Sequence, residues 1–286
     1  MSRQFTPVVV TGGDGYLGSA VRAFFQADSA SRRGGWDFLD PNQAHRFCRY
    51  QTVIHLAAET RKSPQAAGNC FQVNAQGAGF LAQHLDQGQT LIFASTKDIY
   101  HSQSDGEVSV SEACPTTYDR QNAYAWSKWL GEEYLRFYAA QRGFRLGIFR
   151  LSTIFAPPSA GNSGGWVSGF ARCLREGNPL RLKGQGQQVR DILPAQELAR
   201  AFQLFLRSDH PGGVFNIGGG LEFSGTLLEF AHRIAAVQGL DPSLIAGIDT
   251  PPGTDEQQRY VSDLGKIGCE LGWTPEFDLD QALRQV

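Results

Sequence analysis

The sequence predicts an α/β protein with a doubly wound parallel sheet, because short apolar runs alternate with longer segments of helical periodicity. The apolar runs have the composition of strands that are buried on both faces. They cover residues 8–10, 53–56, 91–94, 146–149 and 214–217. The helical segments cover residues 16–27, 66–87, 122–141, 195–208 and 224–237. This order of elements predicts helices on both faces of one sheet.

Two later regions break the alternation and predict a smaller cap. Residues 156–186 contain two adjacent prolines and several glycines around one helical segment, and the tail contains the run Pro251-Pro252-Gly253. Proline and glycine at such densities interrupt regular elements. We therefore expect a sheet domain at 1–155, completed by strands and helices from about 188–218, and a smaller C-terminal cap at 156–187 and 219–286.

A glycine-rich turn follows the first apolar run. Gly12, Gly15 and Gly18 are spaced three apart, with Tyr16 and Leu17 before the last glycine, and they open an apolar helical segment. Glycines let the backbone approach a pyrophosphate, and the free N–H groups of the following helix stabilise its charge. A strand, this turn and a helix, in that order, predict a Rossmann-type domain that binds a dinucleotide.

A tyrosine and a lysine lie four residues apart in a later helical segment. Tyr124 and Lys128 therefore share one face of the predicted helix. A free phenol has a pKa of about 10, which is too high for acid–base work at neutral pH. A neighbouring ammonium, together with a positively charged oxidised nicotinamide, favours the phenolate and lowers that pKa. The pair predicts proton transfer at a substrate hydroxyl.

Two hydroxyl side chains follow the third apolar run. Ser95 and Thr96 lie at the carboxyl end of a predicted strand, the edge of an α/β sheet at which ligands bind. Either hydroxyl can orient a substrate oxygen, and capping the next segment is an equally common use of such residues. The glycine turn, the hydroxyls and the Tyr-Lys pair together are more specific than any one of them.

The composition excludes several other classes of protein. The chain has 26 Lys and Arg against 28 Asp and Glu, with no basic run, so neither nucleic acid nor an anionic membrane is an expected partner. It shows no signal peptide and no bilayer-spanning stretch, which predicts a cytoplasmic protein. Its five cysteines and six histidines lack metal-ligand spacing, so we expect neither disulfides nor a metal site.

These motifs make the chain similar to the extended short-chain dehydrogenases/reductases, in the NAD-dependent epimerase/dehydratase family that acts on nucleotide sugars. The resemblance covers nearly the whole chain. Its further motifs are His55-Leu56-Ala57-Ala58, Val73-Asn74-Ala75, Phe149-Arg150-Leu151-Ser152-Thr153, Gln188-Val189-Arg190-Asp191-Ile192, Val214-Phe215-Asn216-Ile217-Gly218 and Arg259-Tyr260-Val261-Ser262-Asp263. The resemblance implies NAD or NADP as cofactor, a nucleotide-sugar substrate, a substrate-binding role for the cap and a homodimer through the helices near 66–87 and 122–141.

The resemblance also implies roles for single residues. Tyr124 is the acid–base group, Lys128 activates it and binds the nicotinamide ribose, and Thr96 binds the reacting sugar oxygen. The implied substrate ligands also include Thr153, Arg190 and Arg259, since a guanidinium fits a diphosphate with two hydrogen bonds. The implied cofactor contacts fall on Gly12, Gly15, Tyr16, Leu17, Gly18, Leu56, Ala57, Ala58, Asn74, Ser95, Tyr124 and Lys128.

One departure from the family's pattern concerns the reaction. Dehydratases of the family carry Thr-Asp-Glu, whereas this chain has Thr96-Lys97-Asp98. The expected proton donor for an eliminated hydroxyl is therefore missing, which favours epimerisation or carbonyl reduction over dehydration. Thr153 also stands where the family usually has Asn, close to the substrate diphosphate.

The choice between NAD and NADP stays open from the sequence, because the segment from Asp28 to Asp40 is shorter than usual. Asp37 or Asp40 would accept a hydrogen bond from an adenosine ribose hydroxyl and favour NAD. Arg32 or Arg33 would neutralise a 2′-phosphate and favour NADP. We take Arg33 and Asp40 as the two candidate cofactor ligands.

The leading hypothesis is an NAD(P)-dependent nucleotide-sugar epimerase that works through a transient keto-sugar. The alternative is an NADPH-dependent 4-keto-nucleotide-sugar reductase, because the run from Trp36 to Asp40 resembles such reductases. A second alternative is a cofactor-sensing protein without catalysis. The intact set of Thr96, Tyr124 and Lys128 argues against the last hypothesis.

Overall fold

The computed structural model describes residues 7–100, 107–116, 121–157, 164–253 and 257–286. In this part of the chain the strands are β1 (Val8–Thr11), β2 (Asp28–Ala30), β3 (Thr52–His55), β4 (Thr90–Thr96), β5 (Arg145–Leu151), β6 (Thr153–Phe155), β7 (Leu180–Lys183), β8 (Val189–Pro194), β9 (Gly212–Ile217), β10 (Ser224–Thr226) and β11 (Ile245–Ile248). The α-helices are α1 (Tyr16–Phe25), α2 (Ala67–Cys70), α3 (Gly77–Ala82), α4 (Ala123–Arg142), α5 (Trp166–Arg175), α6 (Ala195–Arg207), α7 (Leu227–Gln238), α8 (Gly265–Leu271) and α9 (Leu279–Leu283).

The main sheet has six strands in the order β2-β1-β3-β4-β5-β9, and each neighbouring pair is parallel. All five apolar runs lie in it, which confirms the predicted α/β class. Strand β2 lies on one side of β1 and β3 on the other, so the chain reverses its direction of winding at the carboxyl ends of β1 and β3. Ligands bind at such a switch point in open α/β sheets.

Helices cover both faces of the main sheet. One apolar cluster joins the sheet to α1, α6 and α8 through residues such as Val21, Phe202 and Ile267. The second joins the other face to α3 and α4 through residues such as Leu81 and Leu135. Burial on both faces explains why the central residues of β1, β3, β4, β5 and β9 form continuous apolar runs rather than apolar residues at alternate positions.

The cap contains two small sheets and three helices. Strand β8 pairs with β6 in parallel and with β10 in antiparallel orientation, and β7 pairs with β11. Helix α7 packs against α5 and α9. The placement of β8 differs from the expectation that the strand near 188–194 completes the main sheet; instead α6 and β9 do so. Near the other end of the chain, Ile267 and Trp273 join the core of the sheet domain.

Candidate active site

The glycine turn leaves the first turn of α1 open to a ligand. Gly12 has φ +67° and its Cβ would lie 2.8 Å from Ala57 Cα, while a Cβ on Gly18 would lie 2.0 Å from the Gly12 carbonyl oxygen. The turn is closed by a hydrogen bond from Gly15 N to Gly12 O of 2.8 Å. Only glycine fits at Gly12 and Gly18, and the resulting cradle suits the diphosphate of a dinucleotide.

A cleft of about 250 Å³ lies beside this turn, and we call it the dinucleotide cleft. It runs along the carboxyl edge of β1, β2 and β3. The predicted ligands Gly12, Gly15, Arg33, Ala57 and Ala58 line it. Its other lining residues are Asp14, Ala30, Ser31, Arg32, Trp36, Asp37, Phe38, Leu39 and Val73.

Asp40 differs from its prediction as a ribose ligand. Among the described residues it lies outside the lining of the dinucleotide cleft. Its carboxylate accepts hydrogen bonds from Asn42 N at 2.9 Å and from Gln43 Nε2 at 2.8 Å. Asp40 therefore closes a local turn, a common use of aspartate that sequence alone does not separate from ligand binding.

Tyr124 and Lys128 lie on one face of α4, which Asn122 caps by accepting a hydrogen bond from Ala125 N at 3.1 Å. Thr96 ends β4, where its hydroxyl accepts a hydrogen bond from Asp98 N at 3.2 Å and lies near enough to the Tyr124 phenol to influence its pKa. Lys128 is 2% exposed, and its Nζ lies 4.2 Å from the centre of the Phe93 ring. The structure thus brings Thr96, Tyr124 and Lys128 together at the end of β4, and we call these three residues the catalytic cluster.

Burial dominates the electrostatics of this cluster. Desolvation and the Asp98 carboxylate raise the pKa of Tyr124 well above its usual value, although the nearby Thr96 hydroxyl opposes the shift. Desolvation lowers the pKa of Lys128 to about 7, against the attraction of Glu132. The predicted lowering of the tyrosine pKa concerns Lys128 together with a bound oxidised nicotinamide, and it stays a prediction. A positively charged nicotinamide ring would supply the missing stabilisation of the phenolate.

A buried ion pair lies one helical turn beyond the cluster, and the sequence did not predict it. Glu132 is fully buried one turn after Lys128, and its two oxygens accept from Arg150 Nε at 3.0 Å and Nη2 at 2.8 Å. Ser95 also donates to Glu132. The signal in the sequence was the repeated spacing of four, which places Tyr124, Lys128 and Glu132 on one helical face.

Three predicted cofactor ligands use their side chains to hold the site together. Asn74, in a π-helical segment, binds both the N–H and the carbonyl of Glu59 at 2.9 Å, as well as Ser127 Oγ. The Ser95 hydroxyl donates to Glu132. The Tyr16 hydroxyl donates to Ala156 O at 3.0 Å, which ties the glycine turn to the cap. Contact of these residues with a cofactor stays a prediction.

Leu17 and Leu56 complete the predicted cofactor set. Both are partly buried and pack against the core cluster under α1. Leu56 N also donates to Thr11 O at 3.2 Å, which continues the β1–β3 ladder by one residue. Their apolar side chains fix the backbone on either side of the switch point.

Two of the predicted substrate ligands, Arg190 and Arg259, donate hydrogen bonds to backbone carbonyl groups. Arg190, on β8 and 9% exposed, donates to Gln257 O at 2.6 Å. Arg259 donates to Glu107 O and Val108 O, both at 3.0 Å. Thr153 starts β6 and pairs with Ile192 of β8. All three lie at or beside the small cap sheet, and their contact with a substrate stays a prediction.

Lys97 and Asp98 form a second charged group next to Thr96. Lys97 Nζ donates to Asp98 Oδ1 at 2.7 Å and lies 5.2 Å from the centre of the Tyr260 ring. Lys62 Nζ lies 2.7 Å from Asp98 Oδ2. Burial alone would raise the pKa of Asp98, but the two ammonium groups hold it well below its usual range. Asp98 is therefore an ionised carboxylate.

The described residues contain neither a membrane-spanning helix nor a metal-binding group. No helix there is long and apolar enough to cross a membrane. No group of three or more His, Cys, Asp and Glu side chains in those ranges is arranged to hold a metal ion.

Comparison with known proteins identifies relatives over the whole chain. The model of the NAD dependent epimerase/dehydratase family matches residues 8–218. CDP-paratose 2-epimerase of Salmonella typhi is 24% identical, over 98% of this chain and 97% of that protein.

Two solved structures have TM-scores of 0.85. The dTDP-glucose 4,6-dehydratase DesIV of Streptomyces venezuelae with NAD is 24% identical, over 97% of this chain and 94% of that one. MoeE5 with UDP-glucose and NAD is 22% identical, over 98% of this chain and 96% of that one.

Proposed function

This chain belongs to the NAD-dependent epimerase/dehydratase family, and we propose that it is a nucleotide-sugar epimerase that works through a transient keto-sugar. The observation that carries the proposal is the catalytic cluster, in which the Tyr124 phenol lies near the Thr96 side chain and one helical turn from the buried Lys128. The switch point and the glycine turn support a dinucleotide site along the same edge of the sheet. A bound nicotinamide would supply hydride transfer to and from one sugar carbon.

The residues of the cluster divide the remaining work. Thr96 orients the oxygen of the reacting sugar carbon through its hydroxyl. Tyr124 takes the proton of that oxygen and later returns it, so the oxygen passes through a carbonyl state. Lys128 lies one turn away and stabilises the phenolate and the ribose hydroxyls by charge and hydrogen bonds. That carbon is planar in the carbonyl state, so reduction from its other face would give the epimer.

The charged group beside Thr96 supports epimerisation over dehydration. Elimination of a hydroxyl requires a general acid next to the leaving group. Asp98 is ionised between Lys62 and Lys97, so it does not supply that proton at neutral pH. Redox chemistry at a single carbon needs only the catalytic cluster.

A 4-keto-sugar reductase is the second candidate, and one observation favours it. Ser31, Arg32 and Arg33 follow directly after β2 and line the dinucleotide cleft. Cations at this place suit NADP, which is the cofactor of many biosynthetic reductions. A reductase consumes reduced cofactor in every turnover, whereas an epimerase regenerates its cofactor in place.

The deciding experiment separates these two reactions by their cofactor balance. The protein is incubated with a catalytic amount of oxidised cofactor and a panel of nucleotide sugars, and the products are followed by NMR. The epimerase proposal predicts an equilibrium mixture of two epimers without net change in reduced cofactor. A second incubation contains NADPH and a 4-keto-nucleotide sugar. Stoichiometric oxidation of NADPH there, with no epimer formed in the first incubation, would replace the epimerase by the reductase.

We further propose that Arg190 and Arg259, at the cap sheet, bind the substrate diphosphate.

We also propose that the chain forms a homodimer through α4 and its neighbours. Phe137 and Tyr134 on α4 are 60% and 44% exposed. Exposed aromatic side chains on one helix face are typical of a protein interface. Light scattering of the purified protein tests the dimer, and a monomer at micromolar concentration would contradict it.

A further inference from the structure

The carboxyl end of β2 determines which adenosine ribose the dinucleotide cleft accepts. In a Rossmann-type site the residues just after this strand contact the adenosine ribose. Ala30, the last residue of β2, pairs with Thr11 and its carbonyl accepts from Gly12 N at 2.9 Å. Residues that follow Ala30 therefore lie beside the glycine turn. They are Ser31, Arg32 and Arg33, and all three line the cleft.

The local backbone fixes these three residues at the edge of the cleft. Ser31 is extended and caps a short 3-10 turn, Arg32–Gly34, by accepting a hydrogen bond from Gly34 N at 3.2 Å. Gly35 then has φ +73°, which ends the turn in the left-handed region. Both arginines are exposed. Two guanidinium groups thus lie next to a cap hydroxyl on a defined turn.

The carboxylates in the lining are already engaged by the protein. Asp14 accepts from Arg22 Nη1 at 2.6 Å and from the Ser31 hydroxyl. The Ser31 hydrogen bond is the largest cause that lowers the pKa of Asp14. Asp37 Oδ1 accepts from Leu39 N at 3.1 Å. No carboxylate takes the place directly after β2 in this described segment, where an acceptor for a ribose hydroxyl is expected in an NAD site.

We propose that the dinucleotide cleft selects NADP(H) over NAD(H), with Arg32 and Arg33 binding the phosphate on the adenosine 2′ oxygen. Guanidinium groups bind phosphate with paired, charge-assisted hydrogen bonds. The proposal departs from the description of the matched family, which is NAD dependent. It rests on the proposed dinucleotide cleft but not on the identity of the sugar or on the direction of the reaction.

Calorimetric titration with fragments of the cofactor isolates the adenosine end. Adenosine 2′,5′-bisphosphate and adenosine 5′-monophosphate differ only by the 2′-phosphate, and neither carries the nicotinamide. The wild-type protein is expected to bind the bisphosphate at least about tenfold more tightly, and NADP about tenfold more tightly than NAD. The preference falls as salt is added, since the arginines are exposed. Equal affinities for both pairs, or tighter NAD binding, would overturn the proposal.

Variants assign the preference to the two arginines. The double variant Arg32→Ala and Arg33→Ala is expected to lose the preference for the bisphosphate while its affinity for the monophosphate stays within about twofold. Arg49→Ala is the matched control, because Arg49 is also exposed, carries the same charge and lies outside the cleft lining. Retention of the full preference in the double variant would contradict the assignment.

Failure of this proposal and failure of the proposed function are distinguishable. The titrations contain no sugar and measure no turnover, so loss of epimerase activity leaves their outcome unchanged. Conversely, an epimerase that binds NAD more tightly than NADP would refute the cofactor assignment and leave the reaction intact.

Discussion

The two ends of the predicted cofactor path differ in how the protein sets their charge. At the adenosine end, Arg32 and Arg33 are exposed on a turn whose contacts are local in sequence. At the catalytic end, Lys128 is buried. Desolvation lowers its pKa, and the Glu132 carboxylate raises it in part. Exposed charges act by their position and are screened by salt. Buried charges depend on their partners, so chemistry at the catalytic end requires a network.

The largest expected effect follows from removing the acid–base group at the buried end. Tyr124→Phe deletes the phenolic oxygen near Thr96 and is expected to lower kcat by about 10² to 10⁴. Its affinity for the oxidised cofactor, measured by calorimetry, stays within about twofold. Tyr134→Phe on the same helix is the control, because Tyr134 is 44% exposed and outside the cluster. A near-normal rate for Tyr124→Phe would refute its role.

The next effect concerns the ion pair that supports the cluster. Glu132→Gln leaves the buried Arg150 guanidinium without a charged partner and is expected to lower the free energy of unfolding by about 3–5 kcal/mol. Urea denaturation measures this change. Glu133→Gln removes a carboxylate from the exposed side of the same turn and should change stability by less than about 1 kcal/mol. Equal losses of unfolding free energy in the two variants would mean that the Glu132–Arg150 pair does not stabilise the fold more than an exposed ion pair does.

A smaller effect is expected from a methyl group in the glycine turn. The Cβ of Gly18→Ala would lie 2.0 Å from the Gly12 carbonyl oxygen, so the turn must open. We expect a loss of about 1–3 kcal/mol in stability and weaker binding of both NAD and NADP. Gly169→Ala in α5 meets no atom within 4 Å and serves as the control. Normal dinucleotide affinity of Gly18→Ala would argue against the cradle.

A pH dependence of stability is also expected from Lys128. Burial lowers its pKa in the folded protein to about 7, below the value of about 10.4 in the unfolded chain. The unfolded chain therefore binds more protons between these values, and the contribution of Lys128 to stability rises with pH across this window. Lys128→Met removes that contribution. Its stability relative to wild type should be highest below pH 7 and fall toward pH 10, and a constant difference would contradict the buried charge.

Much of the sheet domain could be predicted from the sequence because its signals are local. Five apolar runs gave five of the six strands of the main sheet, and the glycine spacing gave the turn. Strand β2 was missed as an apolar run because Asp28 and Ser29 are polar and it lies at the sheet edge. Strand β8 carries Arg190 and Asp191 beside its apolar residues and pairs with β6 and β10, and no local pattern encodes which sheet a strand joins.

The candidate site was predictable in its residues but not in its charges. Tyr124 and Lys128 could be placed on one face by spacing alone. Their pKa values depend on burial and on Asp98 and Glu132, which only the fold brings close. The pairing of Glu132 with Arg150 joins α4 to β5, and the sequence carries no local sign of it.

The most direct test of the central claim is a single-turnover experiment with oxidised cofactor bound to the protein. A nucleotide sugar that is a substrate should produce a transient rise in the absorbance of reduced nicotinamide, followed by its decay as the epimer appears. Tyr124→Phe, with the same cofactor bound, should show at most a much slower rise. Formation of the epimer by wild-type protein with no transient reduction of the cofactor, or at the same rate in Tyr124→Phe, would contradict the account.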